Sequence, residues 1–428
     1  MATQTNRYNT NISQISCPAR ELGTDSHPWE QRQLGESFNM LRNNTLSRAD
    51  LSNDRKGILD IHYGDVLIRY RAVVDVSTLQ GPFINITDNR FLGDQLTDGD
   101  IIMADTAEDT SAGKCVEIEG VMHRNVVAGL HTIPLRPATP SSHGYWGQYL
   151  NSASFRNQLF SKMQGTKVIS LSRTTVSNAT VRYPSLPEQR RIGDFFTILD
   201  NLIAAAERQE TILRQKKQAY LQLMFPREGE TEPRLRFAGF SGEWERHQLG
   251  ELYAPSREKN DGSFSAKDII SVAGMRYAPR ESAGSTDDYM KTYNVMKVGD
   301  IAFEGHSSPE FEFGRFVEND LGDGIVSHVF VVLRPLPGRR YDLAFWKEAI
   351  HDEFLMRRTL ARSTKRSTMM HEIVVPDFLK ETIRVPALPE QQKIGKFFTT
   401  LDFLISISRQ RVESLQNAKN AYLQKMFF

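Results

Sequence analysis

Apolar residues recur at alternating three- and four-residue steps in two stretches of this chain. In the first they fall at Ile192, Phe196, Leu199, Ile203, Ala206, Leu213, Tyr220 and Met224. In the second they fall at Ile394, Phe398, Leu401, Ile405, Val412, Leu415, Tyr422 and Met426. That spacing is a coiled-coil seam and predicts two long helices. Glu210, Lys217, Ser408 and Lys419 interrupt it, which predicts an imperfect pairing. Pro187 and Pro389 suit a first helical turn. Ser185 and Glu188 carry a capping-box signature, which Ala387 denies the second stretch. A helix of about 39 residues is roughly 58 Å long. Alone in water it is marginal, so each stripe needs a partner.

The two stretches are copies. Leu186–Phe225 and Leu388–Phe427 align without a gap at an offset of 202, with 21 identities in 40 positions. Markers ahead of them also recur in order: "WEQRQLGE" at Trp29 and "WERHQLGE" at Trp244, "GDIIMAD" at Gly99 and "GDIAFEG" at Gly299, "HTIPLRP" at His131 and "HVFVVLRP" at His328. An internal repeat of this kind sets the architecture. Between the markers, short β-rich runs are broken by Gly, Asp and Pro. Strands are predicted in "DVLIRYRAVVDV", "DIIMAD", "KCVEIEG" and "NVVAGLHTIPL" of the first half. In the second they are predicted in "DIISVAGM", "DIAFEG", "FGRFVE" and "IVSHVFVVL". A helix of about 20 residues follows in each half ("YWGQYLNSASFRNQLFSKM" and "LAFWKEAIHDEFLMRRTLA").

The expected fold class is therefore α+β, with two pseudo-repeated globular domains. Each is followed by a long helix, and the two helices pack as an antiparallel coiled coil with one globule near each end. The segmentation reads as a polar N-terminal tail over 1–24, a first globule over 25–184 and a first helix over 185–225. A linker over 226–242, a second globule over 243–386 and a second helix over 387–428 complete it.

Composition narrows the class. A quarter of the residues are charged, yet the formal net charge is +1, so bulk charge points to no partner. The two cysteines, Cys17 and Cys115, are too few for a zinc site and suggest no disulfide framework. A reducing, cytoplasmic setting is expected. The first 28 residues are polar and do not read as a signal peptide. No apolar run reaches the roughly 18 residues of a membrane span.

The distribution of charge is more telling. Between Glu119 and Glu188 there is no acid in 68 positions, but seven basic residues: Arg124, Arg136, Arg156, Lys162, Lys167, Arg173 and Arg182. From Phe354 to His371 there is again no acid, with Arg357, Arg358, Arg362, Lys365 and Arg366. Ser, Thr and Gln are interleaved. This is the composition of a surface that tracks a nucleic-acid backbone. Phosphate contacts are expected above all from Lys162, Lys167, Arg173, Arg362, Lys365 and Arg366. Arg69 and Arg276 stand as candidates for base contacts.

Catalytic motifs are missing. There is no P-loop, no dinucleotide fingerprint, no His-Glu-x-x-His and no Asn/Asp-Pro-Pro-Tyr/Phe. "PDFLKET" at Pro376 lacks the Glu-x-Lys of a nuclease, and Asp377 reads as a turn residue. His131 and His328 recur singly within β-runs and read as packing residues. Trp146 and Trp346 read as core anchors.

Two divergent globules, each closed by an "LPEQ…IG.FF..LD.LI" helix ending in "AYLQ.MF", resemble the DNA-specificity (S) subunits of type I restriction–modification systems. The "WE…LGE" openings and the run-in "RLRFAGFSGEWE" match as well, and the resemblance covers about residues 25–428. It implies a non-catalytic subunit in which each globule reads half of a split, asymmetric double-stranded DNA site. The helices then act as an antiparallel spacer and dock two modification (M) subunits. Restriction (R) subunits join through that complex. S-adenosylmethionine, ATP and Mg are implied on the partner subunits, and no cofactor on this chain. The rival readings are a two-domain protein-binding scaffold and a self-sufficient methyltransferase or nuclease.

Overall fold

The computed structural model describes residues 28–53, 57–84, 92–165, 167–278, 287–337, 341–367 and 370–427. The segment 1–24 lies outside the described residues. The chain divides into two compact units, one of Met1–Glu207 with Gln410–Phe428, the other of Arg208–Arg409. Each long helix has residues in both units.

In the first unit, a five-stranded sheet runs in the order Phe38–Met40, Thr132–Pro137, Ile101–Ala104, Cys115–Glu119, Val73–Asp75. Its pairs are antiparallel except the last. The opening strand, Glu30–Gln33, pairs with Thr180–Tyr183, the strand that leads into the first long helix. In the second unit, a four-stranded sheet runs Tyr253–Pro255, Val332–Pro335, Ile301–Glu304, Arg315–Glu318. Its opening strand, Glu245–Gln248, likewise pairs with Thr382–Val385 ahead of the second long helix.

Three expectations change. Each helix of about 20 residues is two short ones: Tyr145–Tyr149 and Ala153–Phe160, then Leu343–His351 and Glu353–Ser363. The cause is local capping. The Ser152 hydroxyl accepts from the Phe155 N–H, and the Asp352 carboxylate from the Leu355 N–H, so a new helix starts inside each apolar pattern. Of the run Asp65–Val76 only Val73–Asp75 is a strand, and its start is the end of a helix, Tyr63–Ile68, with His62 as its cap. Val66 is buried while Ile68 is exposed, so that run has one helical face inward. Glu188 does not close the capping box. It accepts from the Trp29 indole at 3.2 Å.

The long helices span Leu186–Met224 and Leu388–Met426, 39 residues each. Inside each unit, the start of one copy packs on the end of the other. In the first unit Leu199, Ile203 and Ala206 bury against Val412 and Leu415. Ile192 and Phe196 share the main core with Met426 and Phe427. The Phe195 ring lies 4.9 Å from that of Tyr422, and Phe196 stacks on Phe427 at 5.8 Å. In the second unit Ile394, Phe398 and Leu401 share a core with Leu221, Met224 and Phe225. There Phe397 meets Tyr220 at 5.0 Å, and Phe398 meets Phe225 at 6.2 Å. Ile405 is buried and Leu213 half-buried. The doubled "FF" of each copy is thus met by the "Y…MF" of the other, and within each unit the paired segments run antiparallel.

The two lysines that interrupt the seam form ion pairs across it. Lys419 donates to the Asp200 carboxylate at 2.7 and 2.9 Å in the first unit. Lys217 donates to Asp402 at 2.8 and 2.9 Å in the second. The pairs are related by the 202-residue offset, with the copies exchanging roles.

Other letters of the repeated motif also have causes. Gln189 donates to the Pro184 carbonyl and accepts from the Ser142 N–H, and Gln391 does the same with Pro386 and Asp342. A Cβ on Gly193 would stand 2.2 Å from the His143 carbonyl, and one on Gly395 2.2 Å from Asp342 Oδ1. Only glycine admits those approaches.

Because Phe427 is buried in the core of the first unit, Phe427→Ala should destabilise that unit by about 3–5 kcal/mol. Hydrogen exchange read peptide by peptide should show protection lost within residues 28–207 and kept within 208–409. Equal loss in both would contradict this assignment.

Candidate nucleic-acid interface

The acid-free segments fold back onto equivalent strand ends. In the first unit, Ile169–Ser170 pairs with Thr106–Ala107, and the Leu171 N–H donates to the Asp105 carbonyl at 2.8 Å. In the second, Thr364–Arg366 and His371–Ile373 form a hairpin, and the His371 N–H donates to the Gly305 carbonyl at 2.7 Å. Both bonds tie the basic segment to the residue just after the strand that follows the repeated Gly-Asp.

The twelve basic candidates fall into three groups. Lys162, Lys167, Arg276, Lys365 and Arg366 are exposed, and none makes a side-chain ion pair or hydrogen bond among the described residues.

A second group is exposed but paired. Arg69 meets Asp65 at 3.0 Å, and Arg362 meets Glu381 at 3.6 Å. Arg357 pairs with Glu312, and Arg358 with Glu228. Hydrogen bonding to Asp65 raises the Arg69 pKa further above its ordinary value.

The third group holds the fold. Arg124 donates to the carbonyls of Val76 and Leu79 at 3.2 and 2.6 Å. Arg156 donates to those of Thr110 and Ala112 at 2.6 and 2.9 Å, and burial lowers its pKa. Arg173 donates to the Leu41 carbonyl at 2.7 Å and to Asn43 Oδ1 at 2.9 Å. Arg136 and Arg182 are also engaged, with Asp100 and Gln31. Count of charge along the chain cannot separate these groups, because the carbonyls and acids that engage them come from distant segments.

His131 has a left-handed backbone, φ 57°, and its Nδ1 lies 3.5 Å from Asp105. Trp146 and Trp346 are buried, as anchors are. Asp377 lies in the first turn of the helix Val375–Lys380, whose Pro376 fits an early helical position. Among the described residues, no group of three or more His, Cys, Asp and Glu could hold a metal ion. No described helix is long and apolar enough to cross a membrane.

Sequence reading missed Arg71, Gln148 and Glu348. Arg71 bonds the Asp200 carbonyl at 2.7 Å and the Glu207 carboxylate. Gln148 bonds Asp200 at 2.8 Å, and Glu348 bonds Lys217 at 2.9 Å. The signal was present in part, since Asp200/Asp402 and Lys217/Lys419 recur at the repeat offset.

The fold is similar to those of solved type I restriction–modification S subunits. The crystal structure of such a subunit from M. genitalium matches with a TM-score of 0.58 at 13% identity, covering 94% of this chain and 97% of that one. A structure described for complex assembly and conformational transition of the type I R-M system matches with a TM-score of 0.53 at 15% identity, over 94% and 97%. In sequence, the chain resembles a putative type I restriction enzyme MjaX specificity subunit of Methanocaldococcus jannaschii. It is 21% identical over 423 residues, spanning 93% of this chain and 92% of that protein. The MjaVIII specificity subunit of the same organism is 22% identical over 282 residues, spanning 61% and 64%. No family model matches the chain.

The grouping of cations makes a prediction. Arg156→Ala leaves the carbonyl of buried Ala112 without this donor, so it should cost about 1–3 kcal/mol of stability. Lys162→Ala should stay within about 0.5 kcal/mol of the parent. Denaturant titration of both variants checks the contrast.

Proposed function

We propose that this chain is the non-catalytic specificity subunit of a type I restriction–modification system. The reciprocal pairing of the two helix copies carries the reading. A chain that clasps each copy with the other offers two equivalent helix faces, suited to two copies of one partner. Those partners are the modification subunits, which bring S-adenosylmethionine. Restriction subunits, with ATP and Mg, join through them. The full-length resemblance to specificity subunits supports the same reading.

In this reading the two α/β units read unlike halves of an asymmetric double-stranded DNA site. The paired helices form one antiparallel coiled coil, which makes the gap between half-sites a geometric constant. Phosphate contacts come from the unpaired cations Lys162, Lys167, Lys365 and Arg366, with Arg276 as a base-contact candidate. Arg362 and Arg69 reach DNA only by leaving Glu381 and Asp65. Arg173 serves the fold.

Mapping methylated adenines in cells with and without this gene tests the function. A split motif with a fixed gap should vanish on deletion, and an unchanged methylation pattern would refute the proposal. Within the assembled methyltransferase, Lys365→Ala with Arg366→Ala should weaken binding across all sequences. It should also reduce the salt slope by about two. An unchanged slope in salt titration would remove both residues from the interface.

A further inference from the structure

The two helix-seam ion pairs are alike, but what surrounds them is not. In the first unit Asp200 takes Lys419 and the neutral amide of Gln148, which is 1% exposed and sits on the short helix Tyr145–Tyr149, while Arg71, 3.9 Å from the Asp200 carboxylate, is matched by Glu207. In the second unit the equivalent helix, Leu343–His351, places Glu348 at that point. Glu348 is 6% exposed, and its carboxylate and that of Asp402 share the single ammonium of Lys217 at 2.9 and 2.8 Å. The first arrangement balances charge without a proton. The second has one carboxylate too many.

We propose that Lys217, Glu348 and Asp402 form a proton-dependent latch fastening the helix Leu343–His351 to the long-helix pair of the second unit, a latch that the first unit lacks because Gln148 stands where the second has Glu348. With a proton on Glu348, its O–H bridges to Asp402 and Lys217 neutralises the remaining charge. Without it, the buried carboxylate of Glu348 and the half-exposed one of Asp402 face each other across one cation. The proton comes from solvent, because Lys217, Glu348 and Asp402 all line an open cleft of about 1550 Å³ within the unit.

The surrounding groups leave Glu348 as the one that titrates near neutrality. Burial, then the Asp402 charge, push it up to about 7 against the pull of Lys217. Burial holds Glu318 up at about 9. Burial and the nearby Arg315 hold His351 down at about 4. Lys347 is paired with Asp320 and its pKa is raised, so it stays charged. Asp352 is engaged as a helix cap. The sign follows. A carboxyl whose folded pKa lies above its unfolded value contributes fully below the unfolded value. It loses that contribution as pH rises through about 7.

Hydrogen exchange of the full chain, corrected for intrinsic pH dependence, tests the latch. Amides of 343–351 should open about tenfold more readily at pH 8 than at pH 6, with most of the change below the midpoint, where the closed state still holds the proton and the opened state has lost it. Glu348→Gln, which copies the first unit's amide, should abolish the slope. Asp402→Asn, which removes the competing carboxylate and leaves the fold's other bonds alone, should move the slope to lower pH. A flat profile in the parent, or a slope that survives Glu348→Gln, overturns the latch.

Discussion

Neither long helix covers its own apolar stripe, and everything else in this protein answers to that constraint. A stripe along 39 residues has to meet a second stripe, and each unit supplies it from the other copy. The aromatic clasps at the helix ends do most of this burial. Phe196 with Phe427, and Phe398 with Phe225, bring large rings fully out of water. The lysines within the seam contribute differently. Buried ion pairs add little net stability, because desolvation offsets attraction. Their value lies in alignment, since a seam with one charge of each sign per unit is satisfied in one register and left with a lone buried charge in the others.

The charged surface divides along a similar line between structural and free groups. Arginine is favoured where a guanidinium can fork onto carbonyls and carboxylates, and here Arg124, Arg156 and Arg173 do that. Lysines at 162, 167 and 365 keep their ammonium groups in solvent. A near-neutral chain can in this way present cation-rich faces, because its acids are spent elsewhere: Glu381 on Arg362, Asp65 on Arg69, Glu312 on Arg357. Electrostatic reach then depends on which charges are left over rather than on the total.

Legibility in the sequence followed the length of the pattern. The long helices begin at the residues where the repeat begins, because eight seam positions at a fixed period leave little room for another reading. Short runs were ambiguous. Ser152 and Asp352 each break an apolar pattern that looked continuous, since one capping bond outweighs a turn of helix propensity. Asp65–Ile68 is rich in β-branched residues yet is helical, because four residues fit either period. The charge runs gave a sign and a place but not a role. Whether an arginine is free depends on a carbonyl far along the chain, which no local window contains. The seam lysines looked like defects for the same reason, and only the repeated Asp–Lys offset pointed to their partners.

One arrangement bears on how the protein comes into being. The second unit is a single run of chain, whereas the first waits for Tyr422, Met426 and Phe427 to fill a core begun at Trp29. A ribosome has therefore released every residue of the second unit before it delivers the plug for the first. The half that is translated earlier matures later.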